Sequence, residues 1–271
     1  MMEILQYQFM QNAVAGAVLA SILCGIVGTY IVVRRLVFIS GGITHASFGG
    51  IGLGLYAGIN PILSAMVFAV ACSCGVKWMS KMHEVREDSA IAVVWTLGMS
   101  IGIIFCFLTP GIIPDLPSYL FGSILTTTRS DLMILAVLTL TAILLFITLH
   151  HEILSISFDA DFARSQRLPV TFIEYVMMIL IALTIVASLR IVGIVLAISL
   201  LTIPQMTASL FTGSFDRMML YSCVIGIIDS LIGLSLSYWL NVPSGATIIF
   251  TSIIIYILSK AIKSLFRVLY K

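Results

Sequence analysis

Residues 34–54 read RRLVFISGGITHASFGGIGLG, and the organisation of the chain follows from this stretch. Arg34 and Arg35 stand side by side in a strongly apolar chain, followed by small residues around a single histidine, His45. Gly41, Gly42, Gly49, Gly50, Gly52 and Gly54 allow other backbones to approach closely, as packed membrane helices require. Glycine also permits irregular backbone, which lipid tolerates only where protein or a water-filled cavity surrounds it. A protonatable, metal-binding imidazole in such a setting marks a pathway. The stretch reads as the polar lining of a translocation route.

The surrounding composition agrees. Of 271 residues, 60% are hydrophobic and 10% charged, and the mean hydropathy is +1.15. A soluble domain is about 45–50% apolar and about 25% charged, so this is a polytopic membrane protein. The net charge of +2 does not point to nucleic acid, because the basic residues are scattered among apolar spans. Cys24, Cys72, Cys74, Cys106 and Cys223 all fall in apolar segments without zinc or redox spacing, and read as packing residues. The N-terminus lacks the basic region of a cleavable signal peptide, so the first span is expected to be retained.

A membrane-spanning helix needs about 20 apolar residues. On that measure spans are expected at 13–33, stopped by Arg34-Arg35, and at 37–57, ended by the turn GINP at 58–61. A third covers 62–75, followed by a polar segment containing Lys77, Lys81, His83 and Glu87, and a fourth covers 90–108. The next connection, TPGIIPDLPSYLFGSILTTTRSD, is too apolar for a loop and too rich in proline for a span; a short surface helix is expected. Further spans follow at 132–149, 171–189, 192–211 with Pro204 inside it, 218–240 and 246–260. Glycine and proline leave the second and seventh open to being half-helices.

With the N-terminus outside, only Arg129 and Arg190 of the 14 lysines and arginines fall on the outer side. That positive-inside bias supports about nine spans in a cell (inner) membrane, N-terminus extracytoplasmic and C-terminus cytoplasmic. No polar segment is long enough to build a core of its own. Residues 1–271 are expected to form a single transmembrane domain.

Missing motifs exclude several chemistries. There is no phosphate-binding Gly-x-x-x-x-Gly-Lys-Ser/Thr loop, no His-Glu-x-x-His and no Gly-x-Ser-x-Gly. ATP, if used, belongs to a partner. His45 is the first choice for contact with a divalent metal, with hydroxyls of Thr44 and Ser40 nearby; it reads equally well as a histidine bonded to a neighbouring helix. Asp229, the one acid in the middle of an expected span, costs about 2.5–3.5 kcal/mol at that depth unless paired, hydrated or protonated. It is either a metal ligand or a structural partner inside the bundle. His83, His150 and His151 read as solvated surface residues. Residues 157–170, SFDADFARSQRLPV, mix Asp159, Asp161, Arg164 and Arg167 with Phe158, Phe162, Ala163 and Leu168. Either aspartate suits the cap of a short helix that Leu168-Pro169 would end, and such a knob suits a soluble partner.

The chain resembles the integral membrane permeases of ABC importers for divalent metals, the zinc, manganese and iron group (ABC-3 family). The resemblance spans roughly 10–262 and rests on RRLVFISGGITHASFGGIGLG, REDSAIAVVW, SYLFGSIL, SFDADFARSQRLPV, RIVGIVLAISLLTIPQMTA and LSYWLNVPSGATI, in this order. It implies an all-α permease related in fold to vitamin B12 and siderophore (type II) importers. It also implies a second permease copy, two copies of a cytoplasmic ABC ATPase that bind the ATP, and an extracytoplasmic metal-binding receptor. No intrinsic cofactor is expected. The loop at 157–170 would seat on the ATPase through Asp159, Phe162, Ala163, Arg164, Leu168 and Pro169, and residues 192–208 would line the inner pathway.

Three positions depart from the family pattern. Members commonly carry Gly-Asp-Ala-x-Ser-His-Ala where this chain has Ser40 to Ala46, so Gly41 stands in place of the acid. Arg167 replaces a usual glycine, and Asn241 an acid. The missing acid mildly favours import of a metal chelate, such as a siderophore or haem, as the alternative. A secondary metal carrier has too few intramembrane charges to couple an ion.

Overall fold

The first stop signal acts as expected: α1 (Gln8–Val33) ends at the arginine pair, and Arg35 adopts φ 58° in the short turn before α2 (Val37–Ala57). The computed structural model describes residues 7–82, 85–110 and 127–269, and every regular element among them is an α-helix. α2 closes at Gly58, whose φ of 68° lets the Ile59 N–H return to the Gly54 carbonyl at 3.0 Å, a common glycine stop. The Asn60 side chain then accepts from the Ile62 N–H (2.9 Å), and Pro61 opens α3 (Pro61–Met82). α3 runs well past the expected end at 75, because Lys77 finds Glu87 (3.2 Å) and Glu174 (3.1 Å) and has no need of water.

α4 (Glu87–Leu108) starts with two acids that suit a helix N-terminus. The surface helix expected after it falls on 111–126, outside the described residues. α5 (Arg129–Thr148) opens on a capping box in which Thr128 and Asp131 satisfy each other's backbone N–H. Then come α6 (His150–Phe158), α7 (Ala160–Ser165), α8 (Val170–Leu200), α9 (Ile203–Ser209), α10 (Phe215–Leu240) and α11 (Ser244–Leu269).

The expected sixth and seventh spans need redrawing, because α8 does not run straight. Gly193 has φ 79° and ψ 171°, and the helix breaks there rather than between 189 and 192. Before the break, Thr171 accepts from Lys81 Nζ (2.5 Å) and Glu174 meets Arg34 (2.9 Å), level with the end of α1. By Ile191 the chain has reached Gly16 near the start of α1, 3.3 Å from where a Cβ would stand. It then returns: the Leu201 carbonyl lies 2.7 Å from the Cβ position of Gly28, and Phe215 stacks on Phe146 (6.4 Å). Residues 194–209 therefore come back as a broken limb, interrupted at Leu201 and Thr202. Gln205 closes the interruption by donating to the carbonyls of Leu200 (3.1 Å) and Cys24 (2.8 Å), which at this depth have no water to turn to.

Among the described residues, seven stretches are long and apolar enough to cross a membrane, and one of them, Val170–Ser209, holds both limbs of this reversal. α2, of spanning length but diluted by glycine, serine and His45, brings the crossings among the described residues to nine, the number expected. α2 and α4 form the most extensive pair in the bundle. Their backbones touch: a Cβ on Gly52 would lie 2.5 Å from the Gly102 carbonyl, and one on Gly98 would lie 2.6 Å from the Ala46 Cα. Small residues permit this, and van der Waals contact holds it in lipid.

Candidate functional site

The α2–α4 contact sets the surroundings of His45. Trp95 on α4 lies one turn before Gly98, and its indole stacks flat on the imidazole, with centroids 4.7 Å apart and planes 6° apart. His45 is half-buried, and its Nδ1 is buried without a hydrogen-bond partner. The ring is held by its face, and no hydrogen bond fixes its tautomer. Gly41, one turn earlier on the same face, is partly open: a Cβ there would meet only Ile198 Cδ1, at 3.9 Å. Ile198 belongs to the returning limb after Gly193, so that limb approaches α2 one turn before His45, while α4 covers the imidazole itself through Trp95.

The hydroxyls expected beside His45 are engaged with their own helix. Thr44 donates to the Ser40 carbonyl, and Ser40 donates to the Val37 carbonyl at 2.6 Å. They could offer a metal only lone pairs. Among the described residues no group of three His, Cys, Asp or Glu side chains converges as a metal cage.

Asp229 sits elsewhere. α10 packs mainly on α1, α9 and α11, whereas α2 packs on α3, α4 and α8, so the two expected metal residues are not gathered into one cluster. Asp229 is fully buried, and neither carboxylate oxygen has a hydrogen-bond partner. The Ser252 hydroxyl, also unpartnered, faces it from α11. The next residue, Ser230, shares a hydrogen bond with Ser21 (3.0 Å), which also donates to the Gly226 carbonyl (3.0 Å).

Residues 157–170 form a compact knob. Of the two aspartates that could cap it, Asp159 does so, accepting from the N–H groups of Asp161 (3.0 Å) and Phe162 (2.9 Å). Ala163 is buried and its carbonyl accepts from the Leu168 N–H (3.2 Å), which folds the end of the knob back on itself. Arg167 makes that reversal at φ 60°, a backbone region that glycine enters most readily. Phe158 and Phe162 are 65% and 57% exposed, Arg164 pairs with Asp161 at 2.6 Å, Leu168 is half-buried and Pro169 exposed. Two bare aromatic rings beside a charged pair make a surface suited to a protein partner.

A four-residue ion cluster escaped sequence reading. Glu174 Oε1 accepts from Arg34 Nη2 (2.9 Å) and Lys77 Nζ (3.1 Å), and Lys77 also reaches Glu87 (3.2 Å). Glu174, near the start of an otherwise apolar span, was the available signal; its partners lie too far away in sequence to be paired. His150, expected to be merely solvated, lies 3.7 Å from Asp216, and His83 is outside the described residues.

The family model described as the ABC 3 transport family matches residues 6–263. An uncharacterized membrane protein of Synechocystis is 42% identical over 97% of this chain and 94% of its own length. The manganese transport system membrane protein MntC of Halalkalibacterium halodurans is 30% identical over 95% of this chain and 88% of its own length. Among solved structures, a chain of PsaBC from Streptococcus pneumoniae, in complex with Fab, superposes with TM-score 0.84 at 28% identity, covering 95% of this chain and 93% of that one. An inward-facing ABC transporter assigned to the metal-chelate type shares the fold at TM-score 0.72 and 15% identity, over 96% and 88% of the two chains.

Proposed function

This chain belongs to the ABC 3 transport family, and from that premise we propose that it carries manganese or another divalent metal ion past His45 into the cytoplasm. It is the multi-pass membrane permease of a divalent-metal ABC transport system and has no catalytic role of its own. A permease of this kind works with an ATPase and a binding protein. In our reading these are two copies of a cytoplasmic ATPase and an extracytoplasmic receptor for the metal, arranged around a pair of these permeases. The N-terminus faces outward and the C-terminus inward, as the distribution of basic residues supports.

The observation that carries the route is the half-buried, hydrogen-bond-free imidazole of His45 on the glycine-rich helix that α4 and the returning limb enclose. An imidazole suits manganese, iron and zinc alike. Asp229 is the second contact proposed: a bare carboxylate at that depth calls for a cation or a proton. The single permease domain meets its ATPase through the knob at 157–170, with Asp159 holding its cap, Phe162 and Arg164 presenting the surface, and Ala163, Leu168 and Pro169 setting its shape.

Uptake by vesicles containing this chain with its ATPase and receptor, supplied separately with manganese, ferrous iron and zinc, tests the reading. One ion should enter in wild type and fail to enter with His45→Ala while ATP hydrolysis continues. Asp229→Asn should lower that uptake without loss of the folded protein. Uptake indifferent to His45 removes it from the route. If no free ion enters, the open space at Gly41 would instead serve a metal chelate.

A further inference from the structure

The buried ion cluster joins the knob at 157–170 to the helix that carries His45. Arg34 is its branching point. One arm of its guanidinium, Nη1, donates to the backbone carbonyl of Ile156 at 3.0 Å; the other, Nη2, donates to Glu174 Oε1 at 2.9 Å. Ile156 lies in α6, shortly before the Asp159 cap of α7. On its other side, Arg34 is part of the short turn from which α2 starts, and His45 follows on the same unbroken helix. Glu174 has a side chain only 4% exposed and is braced from α3 by Lys77 at 3.1 Å. Two cations and two acids (Arg34, Lys77, Glu87 and Glu174) balance, and Glu87, its side chain 31% exposed, is the one most open to water.

A contact that served only to anchor helix ends would not need to reach the main chain of α6. Arg34 does reach it, and its planar fork fixes the direction between its two partners in a way a point charge cannot. We propose that Arg34 is the positioning residue through which movement of the ATPase-docking knob reaches α2 and His45, with Glu174 as the brace against which its fork is held. The proposal rests on the permease reading above, since it presupposes an ATPase on the knob.

Arg34→Lys is the informative variant because it keeps the cluster neutral but cannot hold Ile156 and Glu174 in one rigid fork. Purified complexes of permease, ATPase and receptor in vesicles would be compared for assembly, basal ATP hydrolysis, stimulation of hydrolysis by metal-loaded receptor, and manganese moved per ATP. Arg34→Lys should assemble and hydrolyse ATP at the basal rate. Receptor stimulation and manganese moved per ATP should both fall about tenfold, the size of losing one charge-assisted hydrogen bond. Glu87→Gln, which changes the cluster only on the Lys77 side, should leave both within about twofold of wild type.

The proposal is overturned if Arg34→Lys couples as wild type does, if it fails to assemble, or if Glu87→Gln uncouples to the same degree. Any of these makes the cluster a general anchor or a bystander. Wild-type complex that moves no manganese counts against the metal assigned above and not against Arg34, whose effect is then read from receptor stimulation alone.

Discussion

Substituting Gly52 by alanine puts a methyl group where two backbones already touch. The added Cβ would stand 2.5 Å from the Gly102 carbonyl oxygen and 2.8 Å from its Cα. Carbon normally sits about 3.3–3.6 Å from a carbonyl oxygen, so α2 and α4 must part by roughly 0.8–1 Å. Main-chain atoms cannot rotate aside as a side chain would. Overpacking of this kind costs about 1–3 kcal/mol, and the upper half of that range is expected here. Alanine recovers up to about 1 kcal/mol in helix propensity, leaving a net loss of about 1–2 kcal/mol. Gly75→Ala on α3 is the matched control, because nothing lies within 4 Å of its Cβ position; it should show only the propensity gain. Unfolding of the two variants in the same detergent or bilayer should therefore separate them by about 2–3 kcal/mol. The separation of α2 from α4 should also disturb the His45–Trp95 stack and lower metal uptake. Equal stabilities, within about 0.5 kcal/mol, would refute the close contact of α2 and α4.

Two further perturbations address the knob and the reversal. Asp159→Ala removes the acceptor for the Asp161 and Phe162 N–H groups and should cost about 1 kcal/mol of local stability. It should be read as weaker capture of the ATPase in a binding titration, with Asp159→Asn restoring the cap; equal capture by both variants would detach the cap from docking. Gly193→Ala forces a side chain into a backbone region essentially reserved for glycine, at a cost of about 1–3 kcal/mol. A thermal unfolding midpoint identical to wild type would mean that the chain does not reverse at this residue.

The spans were legible because each signal was local. Arg34-Arg35 stopped α1, GINP supplied the turn into α3, and runs of apolar residues fixed the approximate extent of α4, α5, α10 and α11. Family resemblance added the permease fold and, for 157–170, the docking role proposed above; the residues alone left Asp159 and Asp161 both open as the cap. What escaped was set by distant partners. Composition marks Lys77 as the edge of the membrane, yet α3 continues through it because Glu87 and Glu174 receive its charge within the bundle. The Gly193 break looked like an ordinary boundary between two spans; its position is clear only from Ile191 resting on Gly16 and Leu201 on Gly28. The candidate site was legible in part. His45 stood out by residue type, but Trp95 resembled any aromatic on an apolar helix until the glycine contact of α2 with α4 brought its ring over the imidazole.

On the route proposed above, the way in which His45 is held bears on how long an ion would stay. Histidines in resident metal centres usually give their second nitrogen to a carboxylate or carbonyl, which fixes the ring and makes it a better donor. Here Trp95 fixes the ring by stacking, and the buried Nδ1 has no such partner to strengthen the imidazole. Orientation is thus separated from basicity. The imidazole is aimed in advance, but it lacks the added grip that would lengthen the dwell of a captured ion. A ligand of that kind favours throughput over storage.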